Sequence, residues 1–190
     1  MSILCALVIG HQKEAPGAKS QQGKTEFAFN DDLARRIEKK VKHVKIKRVY
    51  RKKYKTLPGD INALNPDFIV SLHCNAFNTT ASGTEVIYYH ESQKGKQMAE
   101  ILQDYLVSYL GLPDRGIKSS FDRSRGEYLL KHTKAPAVIV EPFFIDNDHD
   151  LYRALENIDG LAQAYVNAID EIAILFPKNE EVPIDCLNPI

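Results

Sequence analysis

The sequence lacks an excess of charge of either sign, because its 25 lysines and arginines are balanced by 25 aspartates and glutamates. This balance argues against nucleic acid or a membrane as the main partner. Basic residues are nevertheless concentrated between Lys39 and Lys55, where they alternate with apolar residues. A solvated helix end followed by an edge strand explains this alternation, and attraction to an anionic polymer is the alternative.

Cysteine is also scarce. The three cysteines, Cys5, Cys74 and Cys186, are odd in number and lack the close spacing of zinc-finger or redox motifs. We interpret them as free thiols made in a reducing compartment. A long apolar run is missing too: the one near the amino terminus stops at Gly10 and follows no basic residue, so neither a signal peptide nor a membrane span is predicted.

What is present is enough chain for one ordinary domain. We expect residues 1–176 to form that domain and residues 177–190 to form a short polar tail. A chain of 190 residues can bury a substantial apolar core without disulfide or metal support. Any bound metal is therefore expected to serve chemistry more than folding.

The apolar pattern alternates between strands and helices. Continuous apolar runs predict buried strands, and apolar residues spaced by three or four predict helices. The predicted strands are 3–9, 44–50 (near an edge), 68–72, 84–89 and 137–140. Of the main predicted helices, the first begins at Glu26, the second runs from Ser92 to Gly111 and the last runs from Asp150 to Leu175. Residues 114–126 are expected to form a surface loop. This order predicts a single α/β domain with a mostly parallel, twisted sheet flanked by helices.

Polar residues follow the predicted buried strands. His11, His73 and Glu141 each come directly after one. In an open parallel sheet the active site lies beyond the carboxyl ends of the strands, so these three side chains are expected to meet there. Alone, each has an ordinary explanation: a histidine at a strand end is commonly capped or solvated, and Glu141 could pair with a lysine.

Glu26 is expected to reach the same place from a helix. It shares a face with Leu33 and Ile37, which must point at the sheet, and an inward carboxylate needs a partner or a cation. Stabilisation by the helix amino terminus is the simpler explanation for Glu26 by itself. Two imidazoles and one carboxylate form the ligand set of an open zinc site, which leaves Glu141 to handle protons. Cys74 is expected to be a buried thiol rather than a fourth ligand, and His43, His90, His132 and His149 are expected to be solvated.

Short motifs follow one another in a fixed order between Val8 and about Ala173. They are Ile9-Gly10-His11, Glu26 with Asn30, Ser71-Leu72-His73-Cys74-Asn75-Ala76, Gly83-Thr84-Glu85-Val86, Arg115-Gly116, and Pro136-Ala137-Val138-Ile139-Val140-Glu141 with Phe144 and Asn147 behind it. Together they resemble the zinc-dependent N-acetylmuramoyl-L-alanine amidases of the amidase_3 type, a family shared by bacterial wall-remodelling enzymes and phage endolysins. Gln12 and Pro142-Phe143 depart from the family pattern, which affects the expected loop shape and substrate preference.

The resemblance implies a zinc amidase catalytic domain over residues 1–176. His11, Glu26 and His73 would bind one Zn²⁺ per chain, and Glu141 would be the catalytic carboxylate. The implied substrate is bacterial peptidoglycan, cut between N-acetylmuramic acid and the L-alanine of the stem peptide. Anionic wall polymers are a further possible partner for Lys39 to Lys55, and no nucleic acid or membrane is expected.

The implied setting is that of a phage endolysin. Such an enzyme would be made in the host cytoplasm without a signal peptide and would act on the wall after release. Two other classes remain open from the residues. One is a catalytically silent domain that binds the wall or regulates another protein, and the other is a zinc peptidase that cuts within the stem peptide.

Overall fold

Six strands form one sheet with helices on both faces in a computed structural model that describes residues 2–121 and 126–177. The strands are β1 (Leu4–Ile9), β2 (Lys45–Tyr50), β3 (Phe68–Leu72), β4 (Thr84–Tyr89), β5 (Asp114–Ser120) and β6 (Ala137–Glu141). The helices are α1 (Glu26–Lys40), α2 (Leu57–Asn62), α3 (Gln93–Leu110), α4 (Glu127–His132), α5 (Asp148–Glu156) and α6 (Ile158–Ala173), and a 3₁₀ turn covers Tyr54–Thr56.

The strand order is β2-β1-β3-β6-β4-β5. The first four strands of this order run in one direction, whereas β4 pairs with β6 in the antiparallel sense and β5 runs parallel to β4. The predicted α/β architecture with a mostly parallel sheet is therefore confirmed. The expected edge position of β2 is confirmed as well, because Lys45 and Lys47 are exposed on this outermost strand.

Alternate residues of the central strands point into two apolar layers. Cys5, Leu7 and Ile9 of β1 belong to the larger layer, which α1, α3 and α6 cover. Ala6 and Val8 belong to the smaller layer beneath α2 and α4. Because both faces of β1, β3 and β6 are covered, these strands are apolar throughout, as expected for the centre of a parallel sheet.

The expected surface loop over residues 114–126 is wrong for its first half. Asp114–Ser120 forms β5, which pairs with β4 at the edge of the sheet. Most of its side chains are at least partly exposed, so the strand needs no alternating apolar pattern and its sequence resembles a loop. Residues 122–125 of the predicted loop lie outside the described residues.

The expected single helix from Asp150 to Leu175 is also wrong. Asn157 interrupts it with a backbone φ of −148°, ends α5, and caps α6 by accepting a hydrogen bond from the Gly160 amide at 2.9 Å. Both helices keep apolar residues at helical spacing, so periodicity alone does not show the break. The expected tail, apart from residue 177, and Cys186 lie outside the described residues. Within the described ranges, no helix combines the length and the apolar character needed to cross a membrane.

Candidate metal centre

Two histidines extend from neighbouring strands at the same edge of the sheet. Ile9 of β1 lies opposite Leu72 of β3, so His11 and His73 both follow the carboxyl ends of paired strands. The backbone holds this arrangement, since the Gly10 amide donates to the Leu72 carbonyl at 2.9 Å. His11 has a φ of 64°, a left-handed conformation that is uncommon for a residue with a side chain. The imidazole rings lie 5.3 Å apart between centroids.

Glu26 meets both histidines from the first turn of α1. Thr25 caps this helix by accepting a hydrogen bond from the Ala28 amide, which sets Glu26 as its first residue. Glu26 is only 2% exposed. Its Oε2 lies 3.1 Å from Nε2 of His11, and its Oε1 lies 2.9 Å from Nδ1 of His73. One carboxylate therefore faces one nitrogen of each imidazole.

Backbone amides fix the Glu26 carboxylate from the other side. The amide of Cys74 donates to Oε1 at 3.0 Å, and that of Ala18 donates to Oε2 at 3.3 Å. Burial alone would raise the pKa of Glu26, but the hydrogen bonds and charges of His11 and His73 outweigh burial and hold that pKa well below its usual range. Glu26 is therefore a carboxylate, the form in which it can bind a cation.

Two glycines leave room for these side chains. A Cβ on Gly17 would lie 2.6 Å from Oε2 of Glu26 and 2.7 Å from the ring of His11. A Cβ on Gly10 would lie 2.8 Å from Nδ1 of His73. Real Cβ atoms do not approach other atoms this closely, so the carboxylate and both rings can occupy their positions only because these residues have no side chain.

The donor set matches a divalent metal ion. One ligand atom from each of His11, Glu26 and His73 lies within 4.8 Å of the others. The two nitrogen–oxygen distances given above are hydrogen-bond lengths to different oxygens of Glu26, and the ligands of a tetrahedral zinc, about 2.0–2.1 Å from the metal, would lie farther apart, at roughly 3.4 Å. Two imidazoles and a carboxylate with a fourth position left over are typical of a catalytic zinc site.

Glu141 shares a cavity with the three candidate ligands. It is the last residue of β6, next to β3 in the sheet, and is 1% exposed. The cavity has a volume of about 360 Å³. Its walls include the four residues selected from the sequence, His11, Glu26, His73 and Glu141, together with neighbours such as Arg51, Tyr54, Ser71 and Leu129. The structure thus brings all four to one place, while their chemical roles remain predictions.

Comparison with known proteins assigns this chain to a protein family. The family model described as N-acetylmuramoyl-L-alanine amidase (Amidase_3) matches residues 5–171, nearly the whole described chain. The chain belongs to the N-acetylmuramoyl-L-alanine amidase family. Its sequence is 29% identical over 166 residues to the N-acetylmuramoyl-L-alanine amidase LytC of Bacillus subtilis, a match covering 82% of this chain and 32% of LytC.

Two endolysins are similar to this amidase-family chain. The endolysin of Bacillus phage SPP1 is 27% identical over an aligned length of 206 residues, and the match covers 96% of this chain and 73% of the endolysin. The catalytic domain of the CD27L endolysin, which targets Clostridia difficile, is 28% identical, with a TM-score of 0.74 over 90% of this chain and 98% of that domain. The chain spans about half or less of the length of the first curated relatives it matches.

The other sequence predictions around the candidate metal site have mixed outcomes. Cys74 is buried, as expected, and burial raises the pKa of its thiol well above the usual range; the cluster of candidate ligands does not include it. Exposure is confirmed for His43, His132 and His149. His90 differs, because it is partly buried, stacked on Phe121 at 4.8 Å, with Nδ1 3.0 Å from the Ser120 carbonyl.

Sequence reasoning gave no role to a polar network beside the site. Nδ2 of Asn75 donates to Oε1 of Glu85 at 2.8 Å, and Nε of Arg115 donates to Oε2 of the same carboxylate at 2.8 Å. Glu85 lies opposite Glu141 in the β4–β6 pair. All three network residues occur in the family motifs, and these motifs were the signal that could have identified them. Gly17 lay in a loop rich in small and polar residues, and no local pattern distinguished it.

Proposed function

We propose that this chain hydrolyses the amide between the lactyl group of N-acetylmuramic acid and the L-alanine of the stem peptide, with one Zn²⁺ held by His11, Glu26 and His73. The observation that carries the proposal is the convergence of two imidazoles and a buried carboxylate on one cavity that also contains Glu141. Membership of the amidase family supports the choice of peptidoglycan as the substrate.

The three ligands are suited to hold the ion in a fixed position. Zinc at this site would supply Lewis acidity, which polarises the scissile carbonyl and makes water acidic enough to react near neutral pH. Nδ1 of His73 and Nε2 of His11 must be free of protons to act as ligands. The amides of Cys74 and Ala18 keep the Glu26 carboxylate oriented before the ion arrives.

Glu141 is the acid/base catalyst in this proposal. As a carboxylate, it accepts the proton of the attacking water and then passes that proton to the departing amine of L-alanine, so one side chain serves in both steps. Its position at the end of β6 is rigid, because β6 lies inside the sheet between β3 and β4. A fixed carboxylate loses little entropy when it reaches the transition state.

The proposed setting is an endolysin-type attack on the bacterial wall, with access to the wall after release from the host cytoplasm. Similarity to the SPP1 and CD27L endolysins supports this setting. Anionic wall polymers are a proposed secondary partner of Lys39 to Lys55. Exposed lysines on the edge strand β2 and in the segment that follows it make such a contact sterically accessible.

The test is to digest purified sacculi and to identify the chemical group that is newly exposed. The proposal expects new amino termini of L-alanine, loss of turnover on chelation and recovery with added zinc. Glu141→Gln is expected to lower turnover by about 10²- to 10⁴-fold while zinc content stays at one per chain. Glu100→Gln, an exposed carboxylate on α3, is the matched control and should retain full turnover.

Several results would contradict the proposal. New reducing ends would indicate a glycosidase, and new termini inside the stem peptide would indicate a peptidase. Binding to sacculi without release of any product would indicate a silent wall-binding or regulatory domain. Retained turnover in Glu141→Gln, or loss of its zinc, would refute the division of roles between Glu141 and the three ligands.

A further inference from the structure

Arg51 lies in the wall of the cavity that contains the candidate metal ligands. It follows β2, whose last residue Tyr50 is opposite Ile9 of β1. Arg51 is therefore level with Gly10 and adjacent in the sheet to the strand that carries His11. Along this edge, successive strands contribute Arg51, His11, His73 and Glu141 in that order.

Arg51 differs from the other described arginines in its lack of an ion pair. Each of the others in the described ranges forms an ion pair with a carboxylate: Arg35 with Asp31, Arg36 with Asp32 and Asp159, Arg48 with Glu38, Arg115 with Glu85, and Arg153 with Glu156. Across residues 2–121 and 126–177, no ion pair involves Arg51. A guanidinium that is partly buried in a cavity wall without a carboxylate partner is available to an anionic ligand.

Aromatic residues lie beside this guanidinium. Cζ of Arg51 lies 5.9 Å from the centre of the Tyr54 ring, and that ring lies 5.4 Å from the ring of Tyr128. Tyr128 is anchored in turn, because its hydroxyl donates to the Lys55 carbonyl at 3.0 Å. A guanidinium can contact an aromatic ring while its N–H groups remain free, and those groups can bind a carboxylate through two hydrogen bonds.

We propose that Arg51 determines substrate specificity by binding the α-carboxylate of the glutamyl residue that follows L-alanine, while the scissile amide lies at the metal centre. This inference rests on the proposed amidase function. The sugar side of the scissile bond carries neutral hydroxyl and acetamido groups, whereas the peptide side carries carboxylates, the first being the α-carboxylate of the glutamyl residue after L-alanine. A cavity of about 360 Å³ is large enough for a fragment of this size.

The experiment compares two soluble substrates that differ in one group. N-acetylmuramoyl-L-alanyl-γ-D-glutamyl-L-lysine has the α-carboxylate, and N-acetylmuramoyl-L-alanyl-D-isoglutaminyl-L-lysine has a neutral amide in its place. In both substrates the γ-carboxyl group is bonded to lysine, as it is bonded to the next residue in the stem peptide. The zinc-loaded wild-type chain is expected to prefer the carboxylate by about 10- to 100-fold in kcat/KM, mainly through a lower KM, as expected for a charge-assisted hydrogen bond. Both substrates lack wall polymers, so a preference cannot come from phosphate groups of the wall.

Variants assign this preference to one residue. Arg51→Gln should reduce the ratio of the two kcat/KM values to about twofold or less, because the charge is lost. Arg51→Lys should recover part of the ratio, since a lysine supplies charge without the two-pronged geometry. Lys52→Ala removes the same charge from the next residue, which is exposed and not part of the cavity wall, and should keep the full ratio. Zinc content and the unfolding midpoint check that each variant is folded.

The outcomes separate the two proposals. If the wild-type chain cleaves both substrates equally well, or if Arg51→Gln keeps the wild-type ratio, the Arg51 inference is refuted while the amidase function stands. A drop of the ratio in Lys52→Ala to the value of Arg51→Gln would also refute it, because general charge would then be the cause. If the wild-type chain releases no L-alanyl peptide from either substrate or from sacculi, both proposals fail.

Discussion

Two glycines of the segment between β1 and α1 share a left-handed backbone but differ in their surroundings. Gly17 has a φ of 79° and Gly23 a φ of 84°. Alanine at either position carries the same backbone penalty, about 1–2 kcal/mol for a left-handed residue with a Cβ. Around Gly23 a Cβ would meet nothing within 4 Å, whereas at Gly17 it would lie 2.6 Å from Oε2 of Glu26. The pair therefore separates backbone strain from a clash at the metal centre.

The size of the clash sets the expected effect. Ordinary contact begins at 3.4 Å, so Gly17→Ala requires Glu26, His11 or the loop to move by roughly 0.8 Å. Zinc sites keep their ligand distances within about 0.2 Å, so the displacement exceeds what the site can absorb. We expect Gly17→Ala to weaken zinc binding by at least the 10- to 100-fold typical of disturbed supporting residues. Gly23→Ala should lose only the stability that the backbone penalty costs and should bind zinc as the wild type does.

Competition with a chromophoric chelator measures zinc affinity, and urea unfolding of the metal-free chain measures stability. We expect Gly17→Ala to lose at least as much unfolding free energy as Gly23→Ala, because the clash adds to the shared backbone penalty, and we expect a loss of zinc affinity in Gly17→Ala alone. Zinc affinities within twofold of each other would refute this expectation. That result would mean that the loop relaxes freely or that Glu26 is not a ligand.

Three further outcomes are expected. Asp150→Ala should lower the free energy of unfolding by about 3 kcal/mol, because this fully buried carboxylate accepts hydrogen bonds from two backbone amides and a serine hydroxyl. Replacement of the exposed Asp148 by alanine should cost about 0.5 kcal/mol or less. Equal losses for the two variants in urea titrations would contradict this role of Asp150. Iodoacetamide should modify Cys5 and Cys74 only after unfolding, since burial raises the pKa of both thiols. Peptide mass spectrometry measures the extent of modification, and rapid labelling of the folded chain would contradict the prediction. If the basic segment Lys39 to Lys55 binds anionic wall polymers, sedimentation with sacculi should weaken between about 0.05 and 0.5 M salt, and binding that salt does not change would exclude an electrostatic contact.

Elements with a local signal were predictable from the sequence. Buried strands such as Phe68–Leu72 are continuous apolar runs, and α1 repeats apolar residues at helical spacing, so both were predictable from pattern. Parallel strands with helical connections place their carboxyl ends together, which is why His11, His73 and Glu141 could be expected to meet. Glu26 could be added because a carboxylate on an inward helix face needs a partner.

Features that depend on spatial neighbours became visible only in the folded chain. Strand β5 exists because β4 offers it an edge to pair with, and Asn157 breaks the last helical stretch although the apolar spacing continues on both sides. Gly17 matters because Glu26 and His11 fill the space where its side chain would be. Unlike the other described arginines, Arg51 lies in the cavity wall and forms no ion pair with a described carboxylate. Proximity of this kind is created by folding, and no spacing within the chain encodes it locally.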